Sequence, residues 1–263
     1  MGRVWEERKV QRFQKGREAG QGTEELVMEY PVTVFLNDKE VATLLCTPLD
    51  LEDLVVGFLF NEGLVRDSSD LESVEVADSG QAARVFTMGR SVLAERLYGK
   101  RTVTSGCGAG TSFYRLTDAW LVRPVTSDFT VKASQISQRM HDLAGASALY
   151  RRTRGVHAAA AASPEAIEVL KDDIGRHNAV DKVAGDMLRR GWDPSCRMLL
   201  ITGRVSSEMV VKAARMGCPL LVSRASPTHL AVRMAQEAEI TLAGFARQDS
   251  FAVFTRPDRV VEG

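Results

Sequence analysis

The sequence predicts an α/β protein in two parts, an α+β amino-terminal region followed by a layered α/β domain. Three observations carry this. β-forming runs surround a single amphipathic helix before residue 90, strands alternate with helical stretches after residue 175, and a Ser/Thr/Gly-rich stretch at 102 to 112 separates the two rhythms. With 263 residues, 44% hydrophobic and 26% charged, the chain is long enough for two ordinary domains and too apolar for general disorder. The expected division is a mobile leader over 1–23, an α+β domain over 24–125 and an α/β domain over 126–263.

Residues 1–23 are charged and rich in Gly, Gln and Arg, with neither helical nor strand periodicity. Residues 29–46 alternate β-formers around Asn37-Asp38, a hairpin pattern. Thr47 then reads as a helix cap with Pro48 at the first helical position. Leu51, Leu54, Val55, Phe58 and Leu59 share one face, and Gly63 is the stop. Two strands at 72–77 and 82–87 flank Asp78-Ser79-Gly80.

The stretch TVTSGCGAGTS at 102–112 reads as an exposed loop. A helix near 134–144 follows, and the small-residue run from Val156 to Ala162 predicts a strand buried on both faces. Helices are then expected at about 177–190, 207–216 and 227–238, with strands at 197–202, 220–224, 240–246 and 250–255. Gly191 and Gly217 lie at helix ends, and Pro227 follows Ser226 at a helix start.

Thirty-four Lys and Arg balance 34 Asp and Glu, which removes the global basic field that non-specific nucleic-acid binding needs. No apolar stretch is long enough for a membrane span or shaped like a signal peptide, so cytoplasmic residence is expected. The four cysteines are far apart in unlike contexts, which favours free thiols over a disulfide framework.

Cys107 sits in Ser105-Gly106-Cys107-Gly108-Ala109-Gly110, where flanking glycines remove bulk and give a thiol access to another molecule. The same pattern also suits a small residue in a tight turn. Cys46, Cys196 and Cys218 read as core or near-core residues. His157 stands where a zinc-dependent deaminase places a ligand, but Ala159 occupies the place of the catalytic glutamate and no P-C-x-x-C follows, so zinc is not expected. His157 is then either a satisfied structural group or a donor to a ligand.

Three segments could meet an anion: the helix opening Arg176-His177-Asn178, the loop with Gly203, Arg204 and Ser206, and the loop with Arg224, Ser226 and Pro227. The last two run from strand to helix, so in an open sheet they converge at the strands' carboxyl ends. Each is also an ordinary capping sequence. Neither a Walker loop nor G-x-G-x-x-G occurs.

The segments RTRGVHAAA at 152–160, DIGRHNAVDKVAG at 173–185, TGRVSSEMVVKAARMG at 202–217 and LAGFAR at 242–247 resemble the formate dehydrogenase accessory sulfurtransferase family, FdhD. That resemblance implies a carrier that takes persulfide sulfur from a cysteine desulfurase. The sulfur would go to a molybdenum cofactor carrying two molybdopterin guanine dinucleotides, before that cofactor enters formate dehydrogenase. It further implies a homodimer, a carboxyl-terminal domain like the cytidine deaminase fold without zinc, and a GDP-like nucleotide as a mimic of the bound substrate. Cys107 would be the persulfide acceptor, and Phe245, Ala246, Arg247, Gln248, Asp249 and Ser250 the cofactor-binding stretch. The family's usual loop is C-G-x-C-G, and here Gly110 replaces the second cysteine. A rival expectation is a chaperone that holds the cofactor without covalent chemistry.

Overall fold

The computed structural model describes residues 3–16, 19–88, 102–103, 111–112 and 124–262. Strands β1 (Trp5–Arg12) and β2 (Gly20–Val27) pair antiparallel. The expectation that 1–23 has no regular structure is therefore corrected. The ribbon is mostly exposed on both faces and so lacks apolar alternation. It docks through Arg152, whose guanidinium lies 4.0 Å from the Trp5 ring centroid and donates to Glu25 at 2.7 Å.

β3 (Tyr30–Leu36) and β4 (Lys39–Cys46) form the expected hairpin, with Asn37 and Asp38 at φ 48° and 64°. Two positive φ values make the tight turn that matches strand twist. Helix α1 (Leu51–Asn61) starts later than expected, behind Asp50 in a left-handed conformation, and Gly63 follows its end at φ 74°. Thr47 is not its cap. Instead Thr47 is buried: its N–H donates to Asp173 at 3.1 Å and its hydroxyl accepts from the Ile174 N–H. β5 (Leu71–Val76) and β6 (Ala82–Thr87) complete a four-stranded sheet in the order β4-β3-β6-β5. Its core unites Val32, Val34, Ala83 and Val85 with Leu54, Phe58 and Leu59 of α1.

Two-residue strands β7 (Thr102–Val103) and β8 (Thr111–Ser112) pair antiparallel. Cys107 falls outside the described residues. Next come β9 (Val131–Lys132), α2 (Ala133–Ala146) and α3 (Ala148–Thr153). β10 (His157–Ala162) and β11 (Ile167–Asp173) are antiparallel. The sequence pattern did not predict β11, because it ends in Lys171, Asp172 and Asp173, charges foreign to an ordinary buried strand.

Helix α4 (Arg176–Arg190), β12 (Met198–Ile201), α5 (Ser207–Arg215) and β13 (Leu220–Ser223) follow. After them come α6 (His229–Glu237), β14 (Thr241–Gly244), β15 (Ala252–Thr255) and β16 (Val260–Val261), which pairs with β9. Thr228, rather than Ser226, caps α6, accepting from the Ala231 N–H at 3.2 Å. The six-stranded sheet runs β11-β10-β12-β13-β14-β15, with β12, β13 and β14 parallel. Alternate alanines of β10 serve opposite cores: Ala159 and Ala161 face α4, α5 and α6, while Ala158, Ala160 and Ala162 face α2. Near the carboxyl end, buried Arg259 donates to the carbonyls of Val125, Ser127, Pro219 and Glu239.

The two parts meet at α1 and α4. A Cβ built on Gly57 would lie 1.8 Å from the Asp181 carbonyl oxygen, and one on Gly185 would lie 1.9 Å from that of Asp53. The helices therefore touch backbone to backbone. Around this crossing, Lys182 is fully buried and donates to Asp173 at 2.7 Å, to the Thr47 carbonyl at 3.1 Å and to the Asp172 carbonyl at 3.0 Å. All three of its donors are satisfied. Asp181 is held by Lys212 at 2.6 Å and Asn61 at 2.7 Å, while Lys171 bridges Asp53 at 2.6 Å and Asp186 at 3.0 Å. Removing one member of such a buried pair strands a charge, a loss of about 3–5 kcal/mol.

Gly57→Ala and Gly185→Ala should each lower stability by at least about 3 kcal/mol, since the obstacle is backbone and cannot rotate away. Gly191→Ala is the control. Gly191 ends α4 at φ 65° with nothing within 4 Å of a new Cβ, so it should cost only about 1 kcal/mol. Urea unfolding of the three variants checks the ranking; equal midpoints would contradict the close crossing.

Candidate functional site

The carboxyl ends of β12, β13 and β14 carry three loops that are hydrogen-bonded into one surface. The Val205 N–H donates to the Ser226 carbonyl at 3.2 Å, and the Thr228 N–H donates to the Val205 carbonyl at 2.9 Å. Buried Ser223 donates from its hydroxyl to the Gly203 carbonyl at 2.6 Å and accepts from the Ala225 N–H at 2.9 Å. The third loop joins through the Phe245 N–H to Ala225 at 3.1 Å and the Ala246 N–H to Ser223 at 3.0 Å. Convergence at the strands' carboxyl ends is thus present, as the strand-to-helix pattern predicted.

The start of α4 stands beside this surface. Cβ and Cδ of Arg176 lie 3.0 Å from where a Gly203 Cβ would be, so any side chain at 203 would press on the arginine stem. His157, on the antiparallel β10, reaches the same end: its Nδ1 is 3.4 Å from the Thr202 hydroxyl. Burial, together with Arg176, holds His157 below its ordinary pKa, against the pull of Asp173. His177 faces Glu208 of α5, with Nδ1 3.3 Å from Oε2. Burial, reinforced by Lys212, Arg176 and His157, pushes the His177 ring down to about 2. The Glu208 carboxylate therefore lies 3.3 Å from a ring that this buried, cation-lined setting keeps neutral.

Three polar atoms in this corner are buried without a partner among the described residues: Arg176 Nε, Ser206 Oγ and Glu208 Oε1. Each unsatisfied atom costs on the order of 1–3 kcal/mol. Ser206 stands at the N-cap of α5 yet makes no side-chain cap bond, unlike Thr228 on α6.

Of the residues singled out from sequence, Gly203, Arg204, Ser206 and Arg224 all lie on this surface, Arg204 and Arg224 exposed. Phe245 is 51% exposed at φ 55° and stands 6.1 Å from the Phe254 ring. Arg247, Gln248, Asp249 and Ser250 are exposed on the β14–β15 turn. Two expectations need correction. Ala246 is core, 1% exposed, and the N–H groups of Phe245, Ala246 and Arg247 are already bonded within the protein, so they are not donors to a phosphate. The Arg247 guanidinium likewise caps the carbonyls of Arg224 and Ala246. Cys196, expected in or near the core, is exposed in the turn before β12, whereas Cys46 and Cys218 are buried. Arg176, His177 and Glu208 form the corner that sequence reasoning undervalued; Arg176 and His177 were visible as a helix opening, but Glu208 resembled any first-turn acid.

The family model for the FdhD/NarQ family matches residues 27–261. The chain belongs to the FdhD/NarQ family. It is 36% identical over 255 residues to the sulfur carrier protein FdhD of Bacillus subtilis, covering 97% of each chain, and 40% identical to that of Listeria innocua, covering 96% of this chain and 97% of the relative. A formate dehydrogenase accessory protein from Desulfotalea psychrophila, as its crystal structure is described, superposes with a TM-score of 0.82 at 25% identity. The match spans 98% of this chain and 100% of that one. In this FdhD/NarQ family member the segment DIGRHNAVDKVAG does two jobs: Asp173, Asp181, Lys182 and Gly185 bind the amino-terminal part, while Arg176 and His177 lie against Gly203 and Glu208.

Because the folded state holds His177 neutral far below 6.5, the unfolded chain binds the extra proton as pH falls, and stability drops below pH 6.5. Between pH 7.5 and 5.5 this group should cost about 1 kcal/mol. Urea unfolding at both values should show a smaller loss for His177→Gln than for the native chain. Equal losses would mean that His177 is not held neutral.

Proposed function

We propose that this chain is a persulfide carrier that delivers sulfur to the molybdenum cofactor with two molybdopterin guanine dinucleotides, the substrate it holds for formate dehydrogenase. The reading is carried by the thiol inventory. Burial, with Asp173 adding to it at Cys46, pushes the Cys46 thiol up to about 12, and burial alone pushes Cys218 up to about 12. Neither supplies a thiolate at neutral pH. That leaves Cys107, flanked by glycines, and exposed Cys196. The family's sulfur carrier relatives and its formate dehydrogenase accessory neighbour supply the chemistry by likeness.

In this reading the Cys107 thiolate attacks the outer sulfur of a cysteine desulfurase persulfide. The desulfurase S–S bond breaks, its cysteine leaves as thiolate, and Cys107 becomes the persulfide. The crevice holds the cofactor: exposed Arg204 and Arg224 suit its phosphates, and the Phe245–Phe254 pair offers an aromatic face. Fixing a large substrate beside the donor makes transfer intramolecular. A homodimer, a GDP-like nucleotide as a mimic, and likeness of the six-stranded sheet to the cytidine deaminase fold belong to the same reading. With Gly110 in the loop, a single cysteine both accepts and donates, and a loop disulfide is impossible.

Incubation with a cysteine desulfurase and cysteine should add one reducible sulfur atom to the Cys107 peptide. Peptide mass spectrometry of the native chain, Cys107→Ala and Cys196→Ala checks this. Only Cys107→Ala should lose the adduct. An adduct that follows Cys196 moves the chemistry to that turn, and none under conditions that load a known acceptor leaves a cofactor-holding chaperone.

A further inference from the structure

Two strand edges of this chain have no neighbour among the described residues, and they carry opposite charge. β1 pairs only with β2, so its outer edge is open, and β5 ends the order β4-β3-β6-β5. An open edge presents unpaired N–H and C=O groups, a template for another strand. The outer half of the ribbon carries exposed Lys9, Arg12 and Lys15, whereas β5 and its flanks carry exposed Asp67, Glu72, Glu75 and Asp78. Arg12 holds Glu24 across the ribbon, and Asp67 accepts from Ser69. Lys9, Glu72 and Glu75 make no ion pair among the described residues. Within its own chain the ribbon is held at its base, by α3, which leaves the outer half for another molecule.

We propose that β1 of one copy adds to β5 of a second copy, and reciprocally, so that two strand junctions close a two-fold pair. Antiparallel alignment with Lys9 opposite Glu75 also sets Val10 opposite Val74 and Gln11 opposite Ser73. It brings Arg12 to Glu72, in the bulge where β5 begins. Directly opposed residues of antiparallel strands share a face. The two half-buried valines therefore meet on the side of β5 that packs on the α1 core, and Lys9 meets Glu75 on the wet side. Neighbouring registers fail. A slip of one residue puts Val10 opposite Ser73 or Glu75, and a slip of two puts Glu7 or Gln11 opposite Glu75. Glu75 already faces Arg84 on β6, whose guanidinium lies 5.0 Å from the Phe35 ring centroid, so Lys9 approaches the carboxylate from its open side. A second copy fits better than a foreign strand because both halves of the match lie on one chain, and each junction covers the edge that the other copy exposes. The inference gives the homodimer of the proposed reading a surface and rests on that reading.

The test uses the full chain. In a Cys107→Ala, Cys196→Ala background the remaining Cys46 and Cys218 are buried, so Gln11→Cys and Ser73→Cys supply the reactive thiols. Mild oxidation should link two chains through a disulfide between positions 11 and 73, seen as a covalent dimer and mapped by peptide mass spectrometry, because directly opposed residues stand within reach of such a bond. Gln11→Cys with Thr43→Cys, on the far strand β4, should not link. Sedimentation then measures the dimer without any new cysteine. Lys9→Glu and Glu75→Lys should each weaken it by about tenfold, since two like-charge pairs replace two attractions in every dimer. The double variant Lys9→Glu, Glu75→Lys restores opposite charge at both junctions and should return to within about threefold of the native dimer. A dimer that lacks the disulfide, or that keeps its strength in both single charge variants, removes this inference alone. A ladder of larger linked species overturns the closed pair. A chain that is monomeric at every concentration removes the homodimer reading as well, and the sulfur adduct on Cys107, read separately, bears on the carrier reading only.

Discussion

The crossing of α1 and α4 at Gly57 and Gly185 is the contact on which the rest of the molecule depends. It lets two helix backbones touch, which brings the Asp53 side chain within reach of Lys171 and Arg189 and lets Asn61 meet Asp181. With any larger residue at the crossing these partners would separate and leave buried charges exposed to each other's absence. The same contact sets where α4 begins relative to β11, and hence where Arg176 and His177 stand at the crevice. The structural clamp and the residues beside the strand-end loops lie on consecutive turns of one helix.

This explains why α4 is polar although it is buried from Ala179 to Met187. A helix buried on several sides is ordinarily apolar all round. Here Asp181, Lys182 and Asp186 replace apolar contacts with ion pairs whose geometry admits one partner arrangement. Such pairs add little net stability over a hydrophobic equivalent. What they contribute in this chain is register: Lys182 reaches Thr47, Asp172 and Asp173 together only when α1, β11 and α4 are all in place.

Much of the fold was legible in the sequence because local chemistry decided it. Asn37-Asp38 placed the first hairpin, Gly191 and Gly217 ended their helices, and the alanine run of β10 announced a strand buried on both faces. The failures came where distant partners overrode local pattern. Thr47 looked like a cap but is tied to Asp173, more than a hundred residues away. β11 was hidden by charges that only their partners make tolerable, and β1–β2 by faces that are mostly wet. At the site, the strand-to-helix loops were readable, since their position follows from sheet topology. The Glu208 corner was not, because an unsatisfied atom is a property of the assembled surroundings. In the 245–250 stretch, Arg247 and Ala246 hold the turn together, which a linear motif cannot distinguish from holding a ligand.

Arg259 makes three separate stretches of the carboxyl-terminal part depend on one cation. Its guanidinium gathers carbonyls from Val125 and Ser127, from Pro219 and from Glu239. A neutral residue there would take the shared donor from all of them together, so the stretches would loosen as a set rather than one by one. The short edge where β16 pairs with β9 follows Arg259 directly and would loosen with them.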